Sequence, residues 1–424
     1  MPRSKGTKLH ETHMRLLHVI HDLAPASGGP AENLRQLAHG YREVGVEPEV
    51  LSLDDPKAAY LSRYPFQVHA LGPATSTFGY SSAARHWLQT HTREYDAILI
   101  DGLWQYPAAV ARTTALAAGI PYLVFPHGML DPWFRRTYPA KHLKKQLFWW
   151  LAQYRVLRDA NRVVFTTEAE RDLAPQTFWP HRWRSAVVPL GTSRPPGDAT
   201  EQRAAFLQVI PVLQGRRFLL FLSRIHAKKG CDLLLKAFCR IADKHPDLDL
   251  VLAGPDPDGL RPGLSTIVEQ KGFANRVHWP GMLEGDVKWG AFHAADAFIL
   301  PSHQENFGIA IAEAIACKLP VLISNKINIW HYVTEDGTGL VEEDTEAGTL
   351  RLLERWLALT PAARAVMVEC TDASFTKRFS MQRCAANIRA LVEATVEAAG
   401  PRGNKSPEDN RARPNHRRSK TENA

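Results

Sequence analysis

Cysteine is scarce and scattered in this 424-residue chain. Its five cysteines, Cys231, Cys239, Cys317, Cys370 and Cys384, form no C-x-x-C pair. Neither a disulfide framework nor a zinc site is expected, and a reducing, cytoplasmic compartment fits. No apolar run reaches the roughly 18 residues of a membrane-spanning helix, and the basic start, Met1 to Lys8, lacks the apolar core of a secretory leader. No G-x-G-x-x-G fingerprint opens the first strand–helix turn, which argues against a dinucleotide cofactor, and no G-x-x-x-x-G-K-[ST] loop occurs. The net charge is only +8, and half of it lies at the end: Gly400 to Ala424 holds seven Lys/Arg and three Asp/Glu, which gives +4. That stretch, 400–424, has almost no apolar residues and reads as a disordered, solvated basic tail. No specific nucleic-acid partner is expected.

What is present is the length and patterning of two α/β domains. The organising stretch runs from Ala297 to Ser324. An apolar strand, Ala297 to Leu300, enters a polar turn, Pro301 to Gly308. A helix from about Ile309 to Cys317 stops at Lys318-Leu319-Pro320, because proline cannot continue it. A second apolar strand, Val321 to Ser324, follows. The turn therefore lies at the carboxyl end of a parallel strand, where open α/β sheets bind ligands. Glu305 sits in that turn beside the N–H groups of Asn306, Phe307 and Gly308, and Glu313 lies eight positions on, a little over one turn into the helix.

The first half opens with a buried strand, Arg15 to Ile20, then a loop ending in Gly28-Gly29-Pro30 and a helix with Leu34, Leu37, Ala38 and Tyr41 on one face. Strand, glycine pair and helix start suit an anion, although glycine pairs also make ordinary turns. Strands at Glu49 to Leu53, Ala97 to Ile100 and Tyr122 to Phe125 follow. Two of them end in chemistry-bearing residues, Asp101 to Gln105 with Trp104 among them, and Pro126-His127-Gly128. From Trp133 to Arg162 there are eight Lys/Arg and one acid, Asp159, with a helical stripe of Leu143, Leu147, Trp150, Leu151 and Tyr154 and with Trp149 beside it. Two readings stand open: a surface helix packing its stripe on the first domain, or a helix lying on an anionic membrane surface.

The second half begins at the strand Phe218 to Leu222, which feeds Ser223-Arg224-Ile225-His226-Ala227-Lys228-Lys229-Gly230 and a helix. Arg224 and Lys229 have the chemistry to neutralise a leaving diphosphate, a forked guanidinium beside a point ammonium.

Together these stretches resemble glycosyltransferase family 4, the retaining enzymes of the GT-B fold. The resemblance rests on P-S-x-x-E-x-F-G-x-x-x-x-E-A around Glu305 and Glu313, and it covers roughly residues 14 to 398. It implies two Rossmann-like domains facing each other across a cleft: 14–193 on the acceptor side, 213–375 binding the nucleotide sugar, and a terminal helix at 376–398 returning to the first domain. It implies a retaining transfer of a sugar from a nucleoside-diphosphate sugar, UDP or GDP undetermined, with no cofactor and no metal ligand set. The acceptor class implied is a glycan or lipid-linked saccharide of polysaccharide or cell-envelope biosynthesis, reached at the inner face of the cell membrane. Glu305 and His127 would serve the reacting sugar. Gly28, Gly29, Arg224, Lys229, Val277, Asn306, Phe307, Gly308 and Glu313 would hold the donor, with Glu313 on the ribose and the backbone at Val277 against the nucleobase. Asp101, Trp104 and Trp330 would face the acceptor. The chain departs from the family at Leu190, usually Asn, at Ser223, usually Gly, and at Asn325 to Trp330, where many relatives have Gly-Gly-x-x-Glu. Two other classes remain: a sugar-nucleotide epimerase, and a non-catalytic nucleotide-sugar-binding protein of the same fold.

Overall fold

The structure is a computed structural model that describes residues 13–25, 29–74 and 76–400. The expectations for Gly28 and for the 400–424 tail past its first residue lie outside the described residues.

The first sheet is built from β1 (Met14–Ile20), β2 (Val46–Ser52), β3 (Gln67–Ala70), β4 (Ala97–Asp101), β5 (Tyr122–Phe125), β6 (Arg162–Phe165) and β7 (Ser185–Val187). The second contains β8 (Arg217–Leu222), β9 (Leu248–Ala253), β10 (Val277–Gly281), β11 (Ala297–Leu300), β12 (Val321–Ser324) and β13 (Gly339–Glu342). Their orders are β3-β2-β1-β4-β5-β6-β7 and β10-β9-β8-β11-β12-β13, and every pairing is parallel. Helices cover both faces of such sheets, which is why the central strands are near-continuous apolar runs. Leu219, Leu220 and Phe221 of β8 and Phe298 and Ile299 of β11 are fully buried.

Each sheet reverses its strand order once, between β1 and β4 in the first and between β8 and β11 in the second. A crevice opens at the carboxyl edge of such a reversal. The carboxyl ends of these four strands and the loops that leave them carry Gly29, Asp101, Arg224, Lys229 and Glu305, so topology alone gathers them.

The terminal helix Met381–Ala399 returns to the first domain, capped by the Ser380 hydroxyl, which accepts from the Arg383 N–H at 3.3 Å. Met381, Ala385 and Ile388 pack there with Leu37 and Tyr41. Gly40 permits the approach: a Cβ at that position would lie 2.8 Å from the Met381 carbonyl oxygen and 2.9 Å from the Ala385 Cβ. The crossing is tied by two backbone bonds, Thr192 N–H to Phe379 O at 2.7 Å and Met381 N–H to Thr192 O at 3.1 Å.

The basic segment is broken where the sequence suggests one helix. It consists of Trp133–Thr137, Pro139–Phe148, a π-helical turn over Trp149–Gln153, and Tyr154–Arg158. The stripe is divided: Tyr154 packs on the first-domain core, and the other four residues face outward. Leu143 is 72 % exposed, Leu151 67 %, Leu147 55 % and Trp150 49 %, while Trp149 is the residue turned fully inward. Trp149, beside the stripe, begins the π turn. Its indole N–H donates to Pro180 O at 2.8 Å.

Candidate functional site

The two crevices face each other and enclose a cavity of about 310 Å³, lined among others by Gly29, Asn33, His127, Glu305, Phe307 and Gly308. Gly29 opens the helix Gly29–Glu43, so a helix start points into the cavity from the first domain.

On the second-domain face, Gly308 holds φ +75° ahead of the helix Ile309–Ala316. Glycine adopts that conformation at no steric cost, and a Cβ there would also lie 2.8 Å from Ile311 Cδ1 and 3.2 Å from Glu305 Cγ. The Phe307 ring turns into the core, edge-on to Phe379 at 6.0 Å. Among the described residues the N–H groups of Phe307 and Gly308 have no protein acceptor. Glu305 accepts from Lys229, whose side chain is 6 % exposed as a residue. Burial pushes the Glu305 carboxyl up, but the charge and hydrogen bond of Lys229 outweigh it and hold the group below its usual value. Arg224 stands in the same loop, exposed and without a carboxylate partner among the described residues. One cation is thus committed inside the site and one is open at its mouth.

Glu313 behaves differently. It is 4 % exposed, and Lys288 Nζ donates to its Oε1 at 2.8 Å. Burial nevertheless dominates and raises its pKa. Any ribose contact therefore uses the second carboxylate oxygen or displaces Lys288, a residue sequence reasoning missed. It lies on the helix Gly285–Ala294, 25 positions from its partner, and no local pattern marks it.

On the first-domain face, Asp101 joins two imidazoles. His127 Nε2 lies 2.9 Å from Oδ1 and His18 Nδ1 2.7 Å from Oδ2, while His18 Nε2 reaches Tyr41 Oη at 3.0 Å. Burial would raise the Asp101 carboxyl; the His18 charge and the bonds from His127 and His18 bring it down to about 2. The Asp101 carboxylate, expected on the acceptor side, is 10 % exposed and each of its oxygens meets a histidine. It orients His127 and leaves Nδ1 as the ring nitrogen free for the cleft. His127 itself holds φ +49°, a costly conformation for a side chain of that size.

Glu170 keeps that turn in place. Its Oε1 accepts from Gly128 N–H at 2.7 Å, and Oε2 accepts from Thr166 N–H at 2.7 Å and Thr166 Oγ1–H at 2.8 Å. Thr166 Oγ1 in turn accepts from Asn306 Nδ2 across the cleft at 2.9 Å, and Gln304 donates to Asp131 nearby. The Glu305 motif is thereby tied to the His127 turn. Glu170 was missed, although T-x-x-E at Thr167 is a legible helix-start signature.

The departing loop after β12 also has a visible task. Glu305 N–H donates to Lys326 O at 3.2 Å, Asn328 N–H to Glu305 O at 3.0 Å, and Asn328 Nδ2 to Asn306 Oδ1 at 3.3 Å. Asn325–Ile329 is a brace for Glu305. Trp330 follows at the start of a short helix, 40 % exposed, and does not line the cavity. Val277 is not brought to the cleft either: it opens β10 at the amino end, in register with Leu250, and is buried. The carboxyl end of that strand, Gly281 with Met282 beyond it, is the part that reaches the ligand edge. Trp104 lies beside Met129 in a second cavity.

A family model described as "Glycosyl transferases group 1" matches residues 203–369, and one described as "Glycosyl transferase 4-like domain" matches residues 28–191. A D-inositol 3-phosphate glycosyltransferase of Streptomyces avermitilis is 28 % identical over 226 residues, 51 % of this chain and 48 % of that protein. The chain thus spans about half the length of the curated relatives it matches first. A GDP-mannose:cellobiosyl-diphosphopolyprenol alpha-mannosyltransferase of Xanthomonas campestris is 23 % identical, covering 77 % of this chain and 83 % of its own. Among solved structures, Anabaena HepE in complex with UDP and glucose superposes with a TM-score of 0.69 at 18 % identity, over 90 % of this chain and 100 % of that one. The sucrose-phosphate synthase of Thermosynechococcus elongatus gives 0.70 at 18 %, over 91 % and 100 %. The two matched models take in every strand but β1 and reach both sides of the cavity, and the chain belongs to the group 1, family-4-like glycosyltransferases of the GT-B fold.

Proposed function

We propose that the chain transfers a sugar from a nucleoside-diphosphate sugar to a glycan or lipid-linked acceptor with retention of configuration. The observation that carries this is the pairing across one cavity of His127, fixed by Asp101, with Glu305, fixed by Lys229. The diphosphate lies between Arg224, Lys229 and the N–H groups of Phe307 and Gly308. Glu313 takes the ribose. As the bond from the anomeric carbon to the diphosphate oxygen breaks, the ring gains positive charge, and the Glu305 carboxylate stabilises it. The acceptor oxygen forms the new bond on the face the diphosphate leaves, and its proton passes to the departing phosphate oxygen. His127 Nδ1 holds a sugar hydroxyl in that arrangement.

The acceptor side meets an anionic membrane surface through the segment Trp133–Arg162. Exposed Leu143, Leu147, Trp150 and Leu151 alternate there with exposed Lys141 and Lys144, the composition of an interfacial helix. Among the described residues no helix is long and apolar enough to cross a membrane.

A thermal-shift panel of UDP, GDP and their sugars tests the reading, because a ligand bound only to the native state raises the midpoint. A shift with one nucleotide family, followed by transfer that needs an added acceptor, is the expected result. Interconversion of the donor sugar with no acceptor present would replace transfer by epimerisation. No shift with any nucleotide would remove the proposal.

A further inference from the structure

Lys229 and Glu305 pair with each other from separate loops of the second domain, and those loops are stitched into one unit. Lys228 O accepts from the His303 N–H at 2.8 Å, and Ser302 Oγ lies 2.9 Å from both Lys228 O and Gln304 O. The Ser324 hydroxyl donates to Ser302 O from the next strand. From this unit the chain neighbours of Lys229 and Glu305 reach across the cleft. Gln304 Nε2 donates to Asp131 Oδ2, Asn306 Nδ2 donates to Thr166 Oγ1 at 2.9 Å, and Lys228 Nζ stands 5.5 Å from the centre of the Trp133 ring. Glu305 is therefore flanked on both sides by residues that the first domain holds, while its own side chain turns back to Lys229.

The contact between Gln304 and Asp131 is a buried one, with both residues under 9 % exposed. Asp131 has little freedom there. Its N–H donates to Gly128 O at 3.2 Å, its Oδ1 accepts from the Trp133 N–H at 2.8 Å, and the Thr177 hydroxyl donates to the preceding carbonyl, Leu130 O. Oδ2 is thus presented to the second domain at a fixed place, four residues after His127. On the other side, Gln304 Oε1 is buried and has no partner, so the amide is committed through its nitrogen alone. A buried carboxylate oxygen facing a single amide donor is costly to leave unmatched, which makes the contact sensitive to any shift of one domain on the other.

We propose that Asp131 and Gln304 are positioning residues of the transfer, whose bond across the cleft sets Glu305 opposite His127. The inference rests on the transfer reading, in which those two residues serve one sugar. Neither Asp131 nor Gln304 touches the sugar; both act through Glu305. The groups assigned to the nucleotide, Arg224, Lys229 and Glu313, all lie on the second domain and need no such bond. The Asp131–Gln304 contact therefore bears on the reacting geometry and leaves nucleotide affinity alone. A misplacement of about 1 Å at a reacting centre can cost about a hundredfold in rate.

The test exchanges the carboxylate and the amide. In Gln304→Glu two carboxylates face each other across the cleft, and like charges there push the domains apart. With the nucleotide sugar that raises the midpoint, kcat should fall by about a hundredfold, while nucleoside diphosphate Kd should stay within about threefold of native. Small-angle scattering of the full chain without ligand should show a larger radius of gyration. Gln304→Glu/Asp131→Asn should recover both the radius and most of kcat, because the Asn Oδ1 still accepts from the Trp133 N–H and its Nδ2 donates to the new carboxylate. Asp131→Asn alone should cost much less than Gln304→Glu, since the Gln304 amide can turn its idle Oε1 toward the Asn Nδ2. A double variant no better than Gln304→Glu, or a Gln304→Glu protein with native kcat and native radius, would overturn the proposal. Nucleoside diphosphate affinity lost in step with kcat would overturn it too, since the damage would then lie within the second domain. The scattering arm and its rescue need no donor, so a failed nucleotide panel leaves that result standing on its own.

Discussion

Replacing Lys229 by Met should leave Glu305 as an unpaired charge in a site that admits little water. Lys229 is 6 % exposed and the Glu305 side chain 19 %. Removing one member of such a pair costs about 3–5 kcal/mol. The lower end applies here, because Glu305 keeps some solvent, the Asn306 N–H and the more distant Lys228 charge. A loss of about 3 kcal/mol corresponds to a fall in Tm of about 6–12 °C for a domain of this size. The pH dependence should change sign as well. In the native chain the Glu305 carboxyl is held below its usual value of 4.5, so its stabilisation is present above that value and fades as the pH falls through the folded pKa. In Lys229→Met the burial effect dominates and the folded pKa rises above 4.5, so the deficit should be full at pH 7.5 and shrink toward pH 4.5. The double variant Lys229→Met/Glu305→Gln should recover about 2 kcal/mol over the single one, since a neutral amide replaces the stranded charge. Calorimetry of the native chain, both single variants and the double variant from pH 4.5 to 7.5 measures all of this. A loss under about 1 kcal/mol at pH 7.5, or a double variant less stable than Lys229→Met, would refute the reasoning.

Asp101→Asn should lower kcat by misorienting His127. It should also remove an acid-limb stability of about 2 kcal/mol that the native chain keeps above pH 3.8 and loses as the pH falls toward the folded value of about 2; an unchanged acid limb in urea titrations would count against the His18–Asp101–His127 account. Arg224→Ala should weaken nucleoside diphosphate by about 1.5–3 kcal/mol and nucleoside hardly at all, measured by titration with both; equal losses would mean a damaged fold. Lys141→Gln/Lys144→Gln should weaken binding to phosphatidylglycerol-containing vesicles by about 2 kcal/mol, or roughly thirtyfold. That difference should vanish in high salt. Undiminished sedimentation with vesicles would reject the membrane surface.

Much of this was legible because the fold writes itself in apolar runs. Ala297–Leu300 and Val321–Ser324 have the same bounds in sequence and structure, since strands buried on both faces admit almost nothing polar. The Glu305 turn was legible from its glycine and the following helix. What escaped lacks a local signature. β3, Gln67–Ala70, is a four-residue edge strand with no periodicity to detect. Lys288 meets Glu313 only through tertiary packing. Asp101 read as an acceptor-side residue because its partner His18 stands inside an apolar strand, where one polar residue among Leu and Val was the available clue. The Leu143–Leu151 stripe was visible as a period, but a period cannot say whether the face meets protein or solvent, and the π turn at Trp149 cannot be read from it. Val277 was placed by likeness to a strand, and a shift of four residues along that strand separates its buried start from its ligand edge.

The division of labour between the two glutamates is tested most directly by donor KM, kcat and nucleoside diphosphate Kd for Glu305→Gln and Glu313→Gln side by side. In the proposed arrangement Glu305 faces the charge that develops on the sugar, so Glu305→Gln should lower kcat by about a hundredfold or more. It should bind nucleoside diphosphate as well as the native chain or better, because Lys229 is released from its partner. Glu313 is proposed to contact a part of the donor that does not change, so Glu313→Gln should raise KM and nucleotide Kd together by about tenfold, with a smaller effect on kcat. A Glu305→Gln protein with native kcat, or one that loses nucleotide affinity as Glu313→Gln does, would contradict the account.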